Sequence, residues 1–296
     1  MDSGIIVYLA FASLTYMTPI LLASLGEIIA ERSGVVNIGI EGILIASAFA
    51  ATLASIATGD PLLGYLAGAL VGLAAGLTHG VLSVYLRADQ IIAGLAFNLV
   101  SFGLTVMGLV SIWGHHGASP RIGVSLGDLE LLGYRVKPIS VASIALALAA
   151  WYALYRTRVG LALRACGEDP RAAEAMGVKV NTFRVAATAL GGMLAGLGGA
   201  FLALEVVGQF TRGISAGRGF IALANVAFSG WNPILAVPGA YIFGFLEALS
   251  IYLQQEARGY EYLVRTLPYI GTLAIVTVFA WRAIAPRSLA KPYIKE

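Results

Sequence analysis

The chain has 296 residues, of which 58% are hydrophobic and only 12% charged. Mean hydropathy is +0.83. Soluble domains carry about 25% charged residues, so this composition excludes a soluble globular protein and implies one that lies in a membrane. The net charge of +3 is read as Lys and Arg flanking membrane spans rather than as a nucleic-acid surface.

Short alternating segments are not sustained anywhere, which argues against a β-barrel. The expected fold is all-α, a polytopic bundle of about eight or nine spans including one short or re-entrant helix, with residues 1–296 forming a single transmembrane domain. The N-terminus lacks a basic region and a small-residue cleavage site, so the first apolar stretch is expected to remain as a span.

Span one is expected over Gly4–Leu25, bent at Pro19. The patch from Gly26 to Gly42 is rich in glycine and carboxylates and reads as a broken helix or turn at the membrane face. Glu27 and Glu31 are expected at the interface, with Arg32 as partner to one of them. Glu41 has two readings, a path-lining carboxylate or a cap on the glycine turn. Span two covers Ile38–Thr58, and Gly59-Asp60-Pro61 makes a tight turn. Span three, Leu62–Leu86, carries Gly64, Gly68, Gly72, Gly76 and Gly80 at four-residue spacing. Such a row is a groove for close helix packing. His79 on the same span is read as a packing residue.

Span four, Gln90–Ile112, contains Asn98, which either bonds a neighbouring helix or lines a path. Residues 114–137 form an external loop. Its adjacent His115 and His116 do not share a helix face, so no metal site is expected. Span five covers Pro138–Tyr155 and span six Phe183–Val207. The apolar part of 219–231 is about 13 residues, short of the ~20 needed to cross. Transporters place substrates at such breaks, and Asn225 is its polar candidate. Span eight, Ile234–Leu253, holds Glu247. Residues 256–265 form an outer turn, and the last span, Leu263–Trp281, leads into a basic tail.

Between spans five and six lies a charged island, 157–183. Asp169 is placed to cap a short helix, Pro170 suits its first position, and Arg171 to Met176 tolerate helix. Gly177 supplies a left-handed stop, and Asn181 is expected to cap the next span. The helix is built as a docking knob for a soluble partner. Arginines beside it and at Arg87 place this side in the cytoplasm, with the N-terminus external and the tail cytoplasmic. Cys166, the only cysteine, is read as a packing residue.

The pattern Thr157-Arg158-x-Gly160, Gly167, Ala172-Ala173 and Gly177-Val178 resembles the coupling loop of ATP-binding-cassette (ABC) importer permeases for ribose-type sugars, nucleosides and branched-chain amino acids. The family commonly has Gly-Asn-x-x-Ala-Ala where this chain has Gly167-Glu168-Asp169-Pro170-Arg171-Ala172-Ala173. The patch Glu31-Arg32-x-Gly34-x-x-Asn37-Ile38-Gly39-x-Glu41-Gly42 is similar to the nucleoside branch, and Gly217-Arg218-Gly219-Phe220 running to Trp231-Asn232-Pro233 is similar to the family as a whole. The resemblance implies a plasma-membrane permease that moves a small polar solute, preferentially a nucleoside, with a simple sugar or branched-chain amino acid as alternatives. It implies an ATPase subunit, a second permease identical or related to this one, an extracellular solute-binding lipoprotein and surrounding lipid, and no cofactor or catalytic residue in this chain. It places Gly167, Glu168, Asp169, Arg171, Ala172, Ala173, Met176 and Gly177 against the ATPase. Asn37, Glu41, Asn98, Asn225 and Glu247 are the candidates for the solute path. No phosphate-binding loop is found. A stand-alone secondary transporter or channel would need coupling carboxylates or a constriction, and Glu41, Glu205 and Glu247 keep that class open.

Overall fold

The computed structural model describes residues 3–131, 133–256, 261–264, 266–279 and 284–294. Seven helices are long and apolar enough to cross a membrane, 18 residues or more each. They are α1 (Ser3–Arg32), α2 (Ile40–Thr58), α3 (Pro61–Val84), α4 (Gln90–Trp113), α5 (Pro138–Arg156), α8 (Val180–Phe201, continued by a π-helical turn Leu202–Val207) and α10 (Pro233–Glu256). Between α5 and α8 lie α6 (Arg158–Glu168) and α7 (Pro170–Ala175). Shorter apolar helices follow, α9 (Arg218–Phe228) and α12 (Leu267–Phe279), with one turn, α11 (Glu261–Val264), before the last. A hairpin of β1 (Leu129–Leu131) and β2 (Tyr134–Val136) is the sole sheet among the described residues. The expected outer turn and the end of the last span at Trp281 lie partly outside the described residues.

α8 runs through the centre and is largely buried, whereas α4 and α5 sit at the periphery. Its glycines set how closely its neighbours approach. A Cβ built on Gly72 of α3 would overlap the Gly192 carbonyl and lie 2.7 Å from Gly196 Cα. One on Gly68 would lie 2.8 Å from the Ala200 Cβ. The glycine row of α3 is therefore the seam against α8, where small residues let two backbones touch.

The region around Gly26 differs from expectation. α1 does not break there but runs on through Pro19, Gly26 and Glu31 to Arg32. Gly26 serves close approach instead, since a Cβ on it would overlap the Gly191 carbonyl of α8. The helix ends at Gly34, whose φ of +101 suits glycine. Gly34 N–H bonds Glu31 O at 2.9 Å and Val35 N–H bonds Ala30 O at 3.3 Å, the paired closure of a left-handed C-terminal cap. Glu27 and Glu31 are buried within the bundle. Their partners are the Asn37 amide, which donates to Glu27 at 2.6 Å, and the Trp231 indole N–H, which donates to Glu31. Among the described residues Arg32 pairs with no carboxylate. It donates to the carbonyls of Gly230 and Trp231 and to the Tyr155 hydroxyl.

The chain ends of the spans sort into two faces. One end, the knob end, gathers Arg32, α6, α7 and residues 284–294. At the opposite end, Glu205 accepts from Leu126 N at 2.9 Å and pairs with Lys137 at 3.0 Å, while Lys137 also pairs with Asp128 at 2.7 Å. Partial burial works against the Lys137 ammonium, but the two carboxylates outweigh it and hold its pKa above the ordinary lysine value.

Candidate functional site

Two features concentrate polar chemistry: the short helix at the knob end, and a break in the helical path between Gly208 and Trp231.

The short helix is built by local signals. Asp169 adopts an extended backbone, and its carboxylate accepts from Arg171 N at 3.1 Å and Ala172 N at 3.0 Å. Pro170 takes the first helical position. At the other end Gly177, with φ +85, donates to Glu174 O at 2.8 Å, and Val178 N–H bonds Ala173 O at 3.1 Å. Both caps are satisfied within the loop, so the helix holds its shape without a partner. Asn181 does not cap the next helix. α8 starts at Val180 with Lys179 at its N-cap, two residues earlier than the asparagine would require.

The eight residues expected on this surface divide by burial. Glu168, Asp169, Arg171, Ala172, Met176 and Gly177 are exposed, with Met176 at 85%. Gly167 and Ala173 are buried. Ala173 packs with Cys166 and Val180, and a Cβ on Gly167 would overlap the Arg32 carbonyl. These two hold the helix to the bundle instead of facing outward. Burial pushes the Cys166 thiol up from its ordinary pKa, as expected for an inert packing cysteine.

Sequence reasoning missed Arg184, the residue that fixes the knob. It is 1% exposed. Its guanidinium donates to Ser33 O at 3.0 Å, Cys166 O at 3.1 Å, Lys291 O at 3.1 Å and the Ser288 hydroxyl at 3.1 Å. The end of α1, the end of α6 and the tail thus meet on one side chain. The visible signal was a lone arginine in the second turn of an apolar span.

The second feature begins at Gly208, which accepts from Ile122 of the loop at the opposite end at 2.8 Å. Residues 209–217 then run without regular helix into the bundle. Phe210 is fully buried, edge-on to Phe49 of α2, and Arg212 lies 5.2 Å from the Phe102 ring of α4. α9 starts inside the bundle and ends beside Arg32 at the knob end. At ~1.5 Å per residue its 11 residues cover roughly half of a ~30 Å hydrocarbon core. The segment between α8 and α10 therefore runs from one end of the bundle to the other, as a loop followed by a half-helix.

Glu41 closes the buried end of that half-helix. Its carboxylate accepts from the Ser215 hydroxyl at 2.5 Å and from the amides of Gly217 and Gly219 at 2.7 Å each. A carboxylate there meets both unpaired amides and the positive end of the helix dipole. Next to it Arg218 forms an ion pair with Glu247 of α10 and donates to Ser215 O at 3.0 Å. The pair borders a cleft of about 240 Å3, also lined by Ser250, Gln254 and Tyr269. Glu41 and Glu247 thus belong to one polar cluster, with Ser215 and Arg218 between them.

The three asparagines are engaged elsewhere. Asn37 Oδ1 accepts from Gly39 N at 3.0 Å. Asn98 spans α4 and α2, accepting from Gly42 N at 2.7 Å and donating to Ile38 O at 3.0 Å. Asn225, fully buried, donates to the Ser24 hydroxyl at 3.0 Å and Ala236 O at 3.1 Å. Replacing Glu41 by alanine should strand two amides and a hydroxyl, each worth roughly 1–3 kcal/mol when left unpaired. The purified permease should then melt several degrees lower, and Glu41→Gln should recover part of the loss.

A multi-pass helical bundle with a capped, outward-facing helix at one end and a polar helix break in its interior is the architecture of a membrane transport permease. The chain belongs to the family of the branched-chain amino acid transport system permease component, whose model matches residues 9–273. It is 36% identical to the guanosine ABC transporter permease protein NupQ of Bacillus subtilis, over 96% of this chain and 95% of that protein. It is 35% identical to the nucleoside ABC transporter permease protein NupC of Lactococcus lactis subsp. cremoris, over 95% of each. Among solved structures its fold matches an inward-facing chain assigned to the metal-chelate type of ABC transporter, with a TM-score of 0.54, 15% identity, and 90% and 85% of the two chains covered. The protein is a permease subunit of an ABC importer, a class that works with an ATPase and a solute-binding protein.

Proposed function

We propose that this permease carries a nucleoside across the cell membrane, drawing on ATP hydrolysis by a separate subunit that binds the knob end. The observation that carries this is the α7 knob: both its caps are internal, and Ala172 and Met176 face outward, exposed to a partner. The nucleoside assignment rests on similarity along nearly the whole chain to NupQ and NupC. The knob end then faces the cytoplasm, in line with arginines at Arg32, Arg87 and Arg156, and the N-terminus lies outside. A second permease, identical or related, completes the pathway in the lipid.

Solute passes beside the half-helix, with Glu41, Ser215, Arg218 and Glu247 as its polar lining and Asn37, Asn98 and Asn225 positioning the surrounding backbone. Arg218 and Glu247 are paired with each other, and Glu41 is held by a hydroxyl and two amides, an arrangement that suits a neutral, hydrogen-bonding solute. Closure of the ATPase pulls α7, and Gly167, Ala173 and Arg184 pass the movement to α1 and α8.

The test is uptake of radiolabelled guanosine into proteoliposomes holding the whole importer with its binding protein. Uptake should require ATP and survive collapse of proton and sodium gradients. Gly177→Val forces a β-branched residue into a left-handed backbone at roughly 1–2 kcal/mol, and should cut uptake about tenfold. Gradient-driven uptake without ATPase would reverse the reading in favour of a secondary transporter. Uptake of ribose or leucine in place of guanosine would reverse the choice of solute.

A further inference from the structure

Residues 284–294 return to the knob and pack along it. Ser288 N–H donates to Gly167 O at 2.9 Å, and the Ser288 hydroxyl donates to the same carbonyl at 2.6 Å. Ala290 N–H reaches Gly34 O at 3.2 Å. Lys291 O takes one arm of Arg184. The Tyr293 hydroxyl donates to Glu174, on α7 itself. The tail is thus bonded to the ends of α1 and α6 and to the short helix, and it lies where the helix projects.

Between them runs a groove of about 310 Å3. Asp169, Pro170 and Arg171 form one wall, and Pro292, Tyr293 and Ile294 the other. Ile294, in the groove, is 54% exposed, and Met176, just past the end of the short helix, is 85% exposed, so helix and tail each present exposed apolar surface. Arg171 and Lys291, both exposed, line the same groove. Apolar anchors inside a charged rim are the usual make-up of a protein contact.

We propose that the tail is the second half of the ATPase docking surface: the ATPase subunit grips α7 and residues 291–294 together, with a side chain in the groove between them. This rests on the reading of α7 as the coupling helix. The ATPase is the occupant because the helix it must grip is itself a wall of the groove, so a surface wide enough to hold α7 covers the tail as well. The tie through Tyr293 and Glu174 makes helix and tail move as one piece.

The test is photocross-linking in membranes holding the complete importer. Benzophenone maleimide is attached to Met176→Cys or to Ile294→Cys; the parent chain, whose lone Cys166 is buried, is the blank. Both variants should cross-link to the ATPase subunit with comparable yield. Cross-linking from Met176→Cys alone, with the Ile294→Cys label free or taken up by lipid, overturns the inference and leaves the coupling helix standing. Cross-linking from neither removes the coupling reading and this inference with it. A second measurement is retention of the ATPase on detergent-purified permease. Lys291→Glu combined with Ile294→Asp should lower it about fivefold or more, as loss of an interface anchor does, while gel filtration of the permease is unchanged. Full retention would count against the proposal.

Discussion

Gly72→Val is expected to be the most damaging single substitution in the bundle. α3 and α8 touch there through backbone on both sides. The added carbon would meet the Gly192 carbonyl and Gly196 Cα, neither of which can turn aside as a side chain could. Overpacking a core ordinarily costs about 1–3 kcal/mol, and with two rigid helices in contact the cost should reach about 3 kcal/mol or more. The variant should accumulate poorly in membranes and unfold well below the parent in detergent. Gly103→Ala on α4 is the matched control. A Cβ there meets nothing within 4 Å, and removing a helical glycine stabilises by roughly 0.5–1 kcal/mol. If Gly72→Val melted with the parent, the seam between α3 and α8 would not be as close as described.

What could be read from the sequence was what is encoded locally. The glycine row of α3 announced a seam because four-residue spacing fixes a helix face. The knob was legible because Asp169, Pro170 and Gly177 are capping signals that act within a few residues. The span boundaries of α3, α4 and α5 followed from polar turns at Asp60, Asp89 and Lys137. Long-range pairing stayed hidden. Nothing beside Glu27 and Glu31 in the sequence shows that Asn37 and Trp231 cover them. Gly26 looks like a break until Gly191 is found against it. The pairing of Arg218 is not visible in its motif, because its partner Glu247 is 29 residues away. α6 carries Gly160, Leu163, Cys166 and Gly167 on one helical face, a period that its polar remainder masks. The half-helix falls between these cases. Its shortness was visible, but not whether it crossed, since that depends on Gly208 and Trp231 lying at opposite ends of the bundle.

Arg184→Met should detach the tail and soften the knob. The side chain is a buried cation that, among the described residues, meets no carboxylate. What balances it is geometry: Ser33 O lies at the end of α1 and Cys166 O at the end of α6, so two helix C-termini direct partial negative charge at the guanidinium. Hydrogen bonds to a charged group contribute about 1.5–3 kcal/mol each, offset in part by the cost of keeping the charge from water. A net loss of about 3 kcal/mol is expected, seen as a lower unfolding temperature. The methionine fills much of the space, so the loss would come from stranded carbonyls rather than from a cavity. Arg184→Lys tests this further. One ammonium cannot reach four acceptors spread over three segments as a planar fork can, so lysine should restore less than half the stability. Protease sensitivity should follow the same order: the tail near Lys291 is cut fastest in Arg184→Met, more slowly in Arg184→Lys and slowest in the parent. Equal cutting in all three would mean that Ser288 and Ala290 hold the tail by themselves, and the role given to Arg184 in passing motion from knob to core would be lost.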